Sequence, residues 1–241
     1  MPTLIGEVAA LYRYPVKSMA GESLEVADLG WHGVLGDRRM ALRRVGDRGG
    51  FPWLTASKLP ELICYTPLRE AGAALDALPT HVRTPDGRSL DAFGEALVSE
   101  IGMRHGTGVE MTHLNRGVFD EASISMIATA SIAEASRLAA LPADVRRFRP
   151  NILLNTRDGT PFEEEQWVGA TIRFGDGTEG AEIAITNYDE RCSMVNFDPD
   201  TARATPELLK AIVAARGNRL GVYAAVTRCG RITMGQSVFV M

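Results

Sequence analysis

The chain has 241 residues, 45% of them hydrophobic and 23% charged, which permits one large globular domain or two small ones with a sizeable core. A formal charge of −4 argues against a nucleic-acid partner, because phosphate backbones demand clustered positive charge. No apolar stretch reaches the roughly 20 residues of a membrane span, and the start "MPTLIGEVAALYRYPVK" lacks the basic and apolar regions of a signal peptide, so a cytoplasmic protein without membrane or nucleic-acid partners is expected.

The first third reads as strands. "GEVAALYRYPV" carries β-favouring residues and stops at Pro15; "LEVADLG" and "RRMALRRV" follow, with "GDRGGF" as a turn. "ELICYTPL" reads as a further strand, and Asp86-Gly87 in "TPDGRSL" is a hairpin turn signal. Helices come next. In "SLDAFGEALVSEIGMRHG", Leu90, Phe93, Leu97 and Ile101 recur at spacings of three and four, with Ser89 as a cap. "SIAEASRLAAL" opens with Ser131 and Glu134 at capping-box spacing. "TPELLKAIVAARG" has Thr205 as cap, Pro206 at the first helical position and Gly217 as a stop.

Around these helices lie "RPNILLNT", "ATIRFG", "AEIAIT", "GVYAAVT", "RITMG" and "SVFVM", short strand candidates with glycine-bearing turns; "FGDGTEGAEIAIT" reads as a hairpin. Many short strands of this kind favour an antiparallel barrel over a parallel sheet. The expected class is α+β and β-rich, with a soft boundary between residues 85 and 110.

Cysteines 64, 192 and 229 form no C-x-x-C pair, and the four histidines form no H-x-x-x-H pair, so neither a disulfide framework nor a histidine metal site is indicated. Cys192 stands out. It lies in "ERCSMVNFDPD", a polar setting with Arg191 beside it, where positive charge favours the thiolate that attacks electrophiles or binds soft metals. An inert half-buried thiol is the plain alternative. Other candidates are anion-binding groups: Lys17 and Ser18 after a strand-ending proline, Arg38 in the Gly36-Asp37-Arg38 turn, and Arg146, Arg147 and Arg149 before the strand that Asn151 opens. Thr129 and Ser131 stand at a helix start, where free N–H groups attract anions. Each of these also reads as surface charge or simple capping.

Together the blocks resemble a known family. "YPVKSMAGESLEVADLGWHGVLGDRRMAL" and "FPWLTASKLPEL" resemble the N-terminal β-barrel region of MOSC proteins, named for the molybdenum cofactor sulfurase C-terminal domain. "RFRPNILLN", "PFEEEQWVGATIRFG", "RCSMVNFDPDT" and "GVYAAVTRCGRITMGQSV" resemble successive blocks of the MOSC domain itself. The resemblance implies a MOSC-type β-barrel with flanking helices plus an N-terminal β-barrel-like region, divided as residues 1–100 and 101–241.

The arrangement is similar to the mitochondrial amidoxime-reducing components and their bacterial relatives. That similarity implies a molybdenum–molybdopterin cofactor with Cys192 as metal ligand. Lys17, Ser18, Arg38, Arg149, Asn151 and Arg191 match its cofactor-holding positions, and Thr129 and Ser131 match more loosely. The implied activity is reduction of small N-hydroxylated compounds, with Asp120 or Asp198 assisting proton delivery; for Asp198, turn-making is the competing role. With no cysteine-rich redox module in the sequence, electrons are expected from a separate ferredoxin-, flavin- or cytochrome-type protein. Met194 and Phe197 depart from the family's usual filling between the cysteine and Asp-Pro. A second reading is a molybdenum-cofactor carrier or a sulfur-transfer module using a Cys192 persulfide. A metal-free cysteine enzyme is a third, lacking a histidine near Cys192 in sequence.

Overall fold

The computed structural model describes residues 1–74 and 76–241. In chain order the strands and helices are β1 (Thr3–Arg13), β2 (Glu22–Leu24), β3 (Val26–Gly30), β4 (Gly33–Val34), β5 (Met40–Arg44), β6 (Thr66–Leu68), β7 (His81–Arg83), β8 (Ser89–Asp91), α1 (Glu95–His105) and β9 (Val109–His113). There follow β10 (Ile124–Ala128), α2 (Thr129–Leu138), β11 (Ile152–Thr156), β12 (Thr171–Phe174), β13 (Glu182–Glu190), α3 (Glu207–Arg216), β14 (Arg219–Arg228), β15 (Gly230–Thr233) and β16 (Ser237–Val240).

Seven strands close into a barrel in the order β11-β10-β14-β13-β12-β16-β1, with β1 pairing back onto β11. Only the β10–β11 pair in it is parallel. Closure leaves those strands without the open edge that invites aggregation. Because side chains alternate along a strand, Val222, Ala224 and Val226 of β14 and Ile183 and Ile185 of β13 point to one interior, which Leu11, Met126, Ile172 and Phe174 fill. Burying each large apolar side chain stabilises the fold by about 1.5–3 kcal/mol. The first strand of the chain is thus a stave of a barrel whose other strands all lie after residue 120.

A second cluster joins β5 and β9 to α1 through Met40, Leu42, Leu97, Ile101 and Val109, with Leu54, Leu62 and Tyr65 from the intervening loops. In a third, Ile132 of α2 and Leu208 and Ile212 of α3 pack on Ile127, Phe148 and Leu220. A cleft is lined from all three parts, by Ser125 and Tyr223 of the barrel strands, Phe148 and Val195 of the third cluster and Met194 beside the second.

Three sequence expectations are corrected. Ser89 does not cap a helix: the Asp86-Gly87 turn folds β7 onto β8, which takes Ser89 and Leu90, and α1 starts only at Glu95. Leu97 and Ile101 still form its buried face, while Phe93 is exposed. "ELICYTPL" is not one strand. Pro60, whose fixed φ suits a helical start, opens a 3-10 turn over Pro60–Cys64, and only Thr66–Leu68 pairs as β6. Ser131 is no cap either, since α2 begins two residues earlier; Glu134 pairs with Arg137 on the surface. Gly217, in the left-handed region at φ 61°, ends α3 as its position implies.

Candidate functional site

The cleft is a cavity of about 640 Å³ whose lining includes Lys17, Ser18, Arg38, Asp120, Arg149, Asn151, Arg191 and Cys192. These residues lie up to 175 positions apart (192 − 17). Thr129, Ser131 and Asp198 are outside the lining.

The N-terminal strand delivers the first wall. After β1 ends, Lys17 is buried and its Nζ donates to Asp120 Oδ1 at 2.8 Å and to the Val118 carbonyl at 3.2 Å. Burial pulls the Lys17 pKa down, against the opposing pull of Asp120. Burial is the largest single influence on Asp120 and pushes its pKa up, but the charge and hydrogen bond of Lys17, with the charges of Arg38 and Arg149, together hold this carboxylate below its ordinary range. The pair has its Nζ inside the protein and its carboxylate exposed at the rim.

Arg38 and Arg149 make the second wall. Both stack on the ring of Tyr14, their guanidinium carbons 4.9 Å and 4.2 Å from its centroid. Arg38 is paired with the buried Asp37 and reaches the Arg149 carbonyl at 3.2 Å. Arg149 has no carboxylate partner among the described residues; one guanidinium nitrogen is buried and unbonded, and burial lowers its pKa to about 10. Ser18, Arg38 and Arg149 all sit at positive φ (68°, 49° and 52°), a conformation that side-chain-bearing residues rarely adopt. Backbone strain gathered around one cavity is characteristic of functional sites. Asn151 faces the protein: its amide accepts from Ser125 N–H at 3.1 Å and donates to the Tyr12 carbonyl at 3.3 Å, so it shapes the pocket floor.

The third wall follows β13. Arg191 Nε and Nη1 each donate to a backbone carbonyl at 2.7 Å, of Leu220 and Phe148, and its Nη2 lies 3.0 Å from Asp189. The guanidinium is therefore bound to the protein rather than turned to the thiol. Gly221, at φ 81°, makes room for it: a Cβ there would sit 3.0 Å from Arg191 Nη2 and 2.9 Å from the Met126 carbonyl. Asp189 also accepts from Ser125 Oγ at 2.8 Å and bonds the Tyr223 hydroxyl, and burial raises its pKa. One residue further on, Cys192 leaves the strand and is exposed in the cavity.

The Asp-Pro turn explains Asp198. Its Oδ1 accepts from the backbone N–H groups of Asp200 and Thr201 and from the Thr201 hydroxyl, and its Oδ2 accepts from Arg147 at 3.1 Å. Those bonds, the Thr201 hydroxyl first, keep it below its ordinary pKa. The hydroxyl of Ser131 is fully buried, donating to Glu164 at 2.7 Å and accepting from Phe162 N–H at 2.7 Å, and Thr129 bonds Asn155 on the surface. Sequence reasoning missed Tyr14, Ser125, Asp189 and Tyr223. Ser125 and Tyr223 are cross-strand partners, a juxtaposition that only the β10–β14 register creates.

Comparison with known families decides the identity of this arrangement. The model of the MOSC domain matches residues 102–239, and that of the MOSC N-terminal beta barrel domain matches residues 5–114. The chain belongs to the MOSC family. MOSC domains are associated with molybdenum-cofactor binding, and this MOSC chain is compatible with a cofactor-dependent enzyme. No curated protein matches it. Among solved structures it is similar to the YUAD protein from Bacillus subtilis, at 15% identity and a TM-score of 0.53, over 100% of this chain and 98% of that one. It also matches YiiM from Geobacillus stearothermophilus, at 21% identity and a TM-score of 0.37, over 49% of this chain and 54% of that one. Among the described residues no helix is long and apolar enough to cross a membrane.

The MOSC cleft suits an anionic cofactor that brings its own metal. Among the described residues no group of three or more His, Cys, Asp or Glu side chains could cage a metal ion, and the thiol that the cleft presents is the exposed Cys192. Arg149, which has no carboxylate partner among the described residues, gives the same cleft a cationic side.

Proposed function

We propose that the chain holds a molybdenum–molybdopterin cofactor, with Cys192 as the metal's protein ligand, and reduces small N-hydroxylated compounds. The observation that carries this reading is one cavity joining an exposed thiol to a half-buried arginine without a carboxylate partner among the described residues. Bound there, the cofactor supplies two-electron chemistry that takes oxygen from an N–OH group.

The chain's own residues bind and orient. Arg149 and Arg38, braced on Tyr14, are assigned to the cofactor's anionic end, with Lys17 and Ser18 on the facing wall. Asn151 and Arg191 keep the floor and the β13 wall in place through their bonds to backbone. Proton delivery falls to the Lys17–Asp120 pair, which links a buried ammonium to a solvent-exposed carboxylate; Asp198 is left to its turn. Thr129 and Ser131 are assigned no direct contact. Electrons come from a separate ferredoxin-, flavin- or cytochrome-type donor protein.

The deciding experiment measures molybdenum per chain by elemental mass spectrometry, after expression in a host able to make molybdopterin. It is followed by turnover of an amidoxime with a reduced viologen dye. Near-stoichiometric metal and turnover are expected in the wild type, and loss of both in Cys192→Ser. Metal without turnover would favour the carrier reading, and absence of metal would favour sulfur transfer through the same exposed thiol.

A further inference from the structure

Asp189 gathers donors. Its buried carboxylate accepts from Ser125 Oγ at 2.8 Å and from the Tyr223 hydroxyl, and Arg191 Nη2 lies 3.0 Å from it. Ser125 and Tyr223 are partners across the β10–β14 ladder, so one carboxylate draws the proton of each hydroxyl. Burial, and after it the Asp189 charge, raises the Tyr223 pKa, so the phenol keeps its proton. A phenol has a single proton. With that proton donated to Asp189, the Tyr223 oxygen has only lone pairs left to offer a ligand.

Tyr223 lines the cleft and is half-buried there. Lys17, Arg38, Arg147, Arg149 and Arg191 give the same lining its cationic donors, whereas its amides and carboxylates are spent or solvent-facing. Asn151 bonds Ser125 N–H and the Tyr12 carbonyl. Asn187, the partner of Tyr223 on β13, accepts from the Thr186 hydroxyl and donates to the Tyr188 carbonyl. Asp189 has its three donors, and Asp120, Glu121 and Glu190 are exposed. The β14 wall thus presents a fixed acceptor that is partly withdrawn from water, where a hydrogen bond is stronger than in solvent.

We propose, resting on the reading of this cleft as a reductase site, that Tyr223 accepts a hydrogen bond from the O–H of the N-hydroxyl group. The cleft then selects N–OH compounds over N-oxides and N-alkoxy compounds, which have no hydrogen on that oxygen. Tyr223 is the specificity residue, and Asp189 is the positioning residue that holds its phenol as an acceptor.

The test is calorimetric titration of benzamidoxime, and separately of its O-methyl ether, into protein purified from a host able to make molybdopterin. No reductant is added, so binding is read without turnover. The wild type is expected to prefer benzamidoxime. Tyr223→Phe should bind benzamidoxime about three- to tenfold more weakly and the ether within about twofold of wild type, so that the preference collapses. In Asp189→Asn the new amide can donate to the phenol and free its proton for the cleft, so the preference should shrink there too, and this variant decides if Tyr223→Phe does not fold. A hydroxyl with a structural role alone would weaken both probes equally. That result, an unchanged preference in the variants, or no binding of either probe would each overturn the proposal. Absence of molybdenum, or no turnover once a reduced dye is added, would sink the reductase reading instead, while the ratio of the two affinities would still decide this one.

Discussion

Arg191 and Cys192 are adjacent in the chain, yet the guanidinium is buried 3.0 Å from Asp189 while the thiol is exposed in the cleft. The alternation of β13, with Asp189 buried and Glu190 exposed, carries on past the end of the strand and sends Arg191 into the protein and Cys192 out of it. The arginine thus acts on the site as a brace, tying β13 to the Phe148 and Leu220 carbonyls, and the thiol is left free to meet a ligand.

That division makes the two residues separable by mutation. Arg191→Ala strands the buried Asp189 charge and is expected to lose about 3–5 kcal/mol of stability. Cys192→Ser alters an exposed side chain and should shift stability by less than about 0.5 kcal/mol. Urea unfolding of the two variants beside the wild type checks both, and comparable losses would contradict the assignment.

Arg149 predicts a trade of stability against binding. It is a half-buried cation at φ 52° with no carboxylate partner among the described residues, and Asn tolerates that backbone better than Arg does. Arg149→Asn should therefore melt higher, by about 2–4 °C for each kcal/mol gained in a domain of this size, and retain less molybdenum. The pH dependence has a definite sign. The folded pKa of about 10 lies below the ordinary arginine value, so the unfolded chain holds the proton more tightly. The penalty is full below pH 10 and shrinks as pH rises above it toward the ordinary arginine value, so the advantage of the variant should narrow as pH rises past 10. Lower stability of Arg149→Asn at pH 7 would show that Arg149 helps hold the fold.

Much of the barrel could be read from the sequence because strands and turns are local signals: the Asp86-Gly87 hairpin, the Pro15 stop and the Gly217 helix end all stand where residue chemistry puts them. Ser89 and Ser131 misled for a common reason. A serine before an apolar run fits a cap, but the hairpin claimed Ser89 and the buried Glu164 claimed Ser131, and neither partner is local. The cleft residues recognised in advance came from motif blocks. Those missed, Tyr14, Ser125, Asp189 and Tyr223, owe their roles to cross-strand register and stacking between distant segments.

Gly221 gives a steric test of the Arg191 brace. An added Cβ would meet the Met126 carbonyl at 2.9 Å and Arg191 Nη2 at 3.0 Å, at a φ that penalises any side chain. Gly221→Ala should lose about 1–3 kcal/mol from backbone strain alone, with further loss from displacing the guanidinium. Pairing it with Arg191→Ala in a double-mutant cycle checks the mechanism: the two losses should fall short of additivity, since one variant removes what the other displaces. Full additivity would mean that the glycine serves the backbone only.

Glu164 offers a prediction independent of the cleft. Fully buried, it accepts from Ala128 N–H at 3.2 Å and from Ser131 Oγ at 2.7 Å, tying the start of α2 to the 3-10 turn over Glu163–Trp167. Burial raises its pKa above the ordinary 4.5 despite those bonds. An acid whose folded pKa is raised keeps its proton in the folded chain after the unfolded chain has released it. Between 4.5 and the raised value the folded state therefore binds more protons, and this group's contribution to stability falls as pH climbs. Glu164→Gln cannot titrate. The stability of the wild type minus that of the variant should accordingly decrease as pH rises from 4 through the raised value and then level off. Urea unfolding of both proteins at half-unit steps from pH 4 to 8 measures that difference directly, with the other carboxylates cancelling in the subtraction. A flat difference would mean that Glu164 ionises as easily folded as unfolded, and that the Ser131 and Ala128 bonds fully offset its burial.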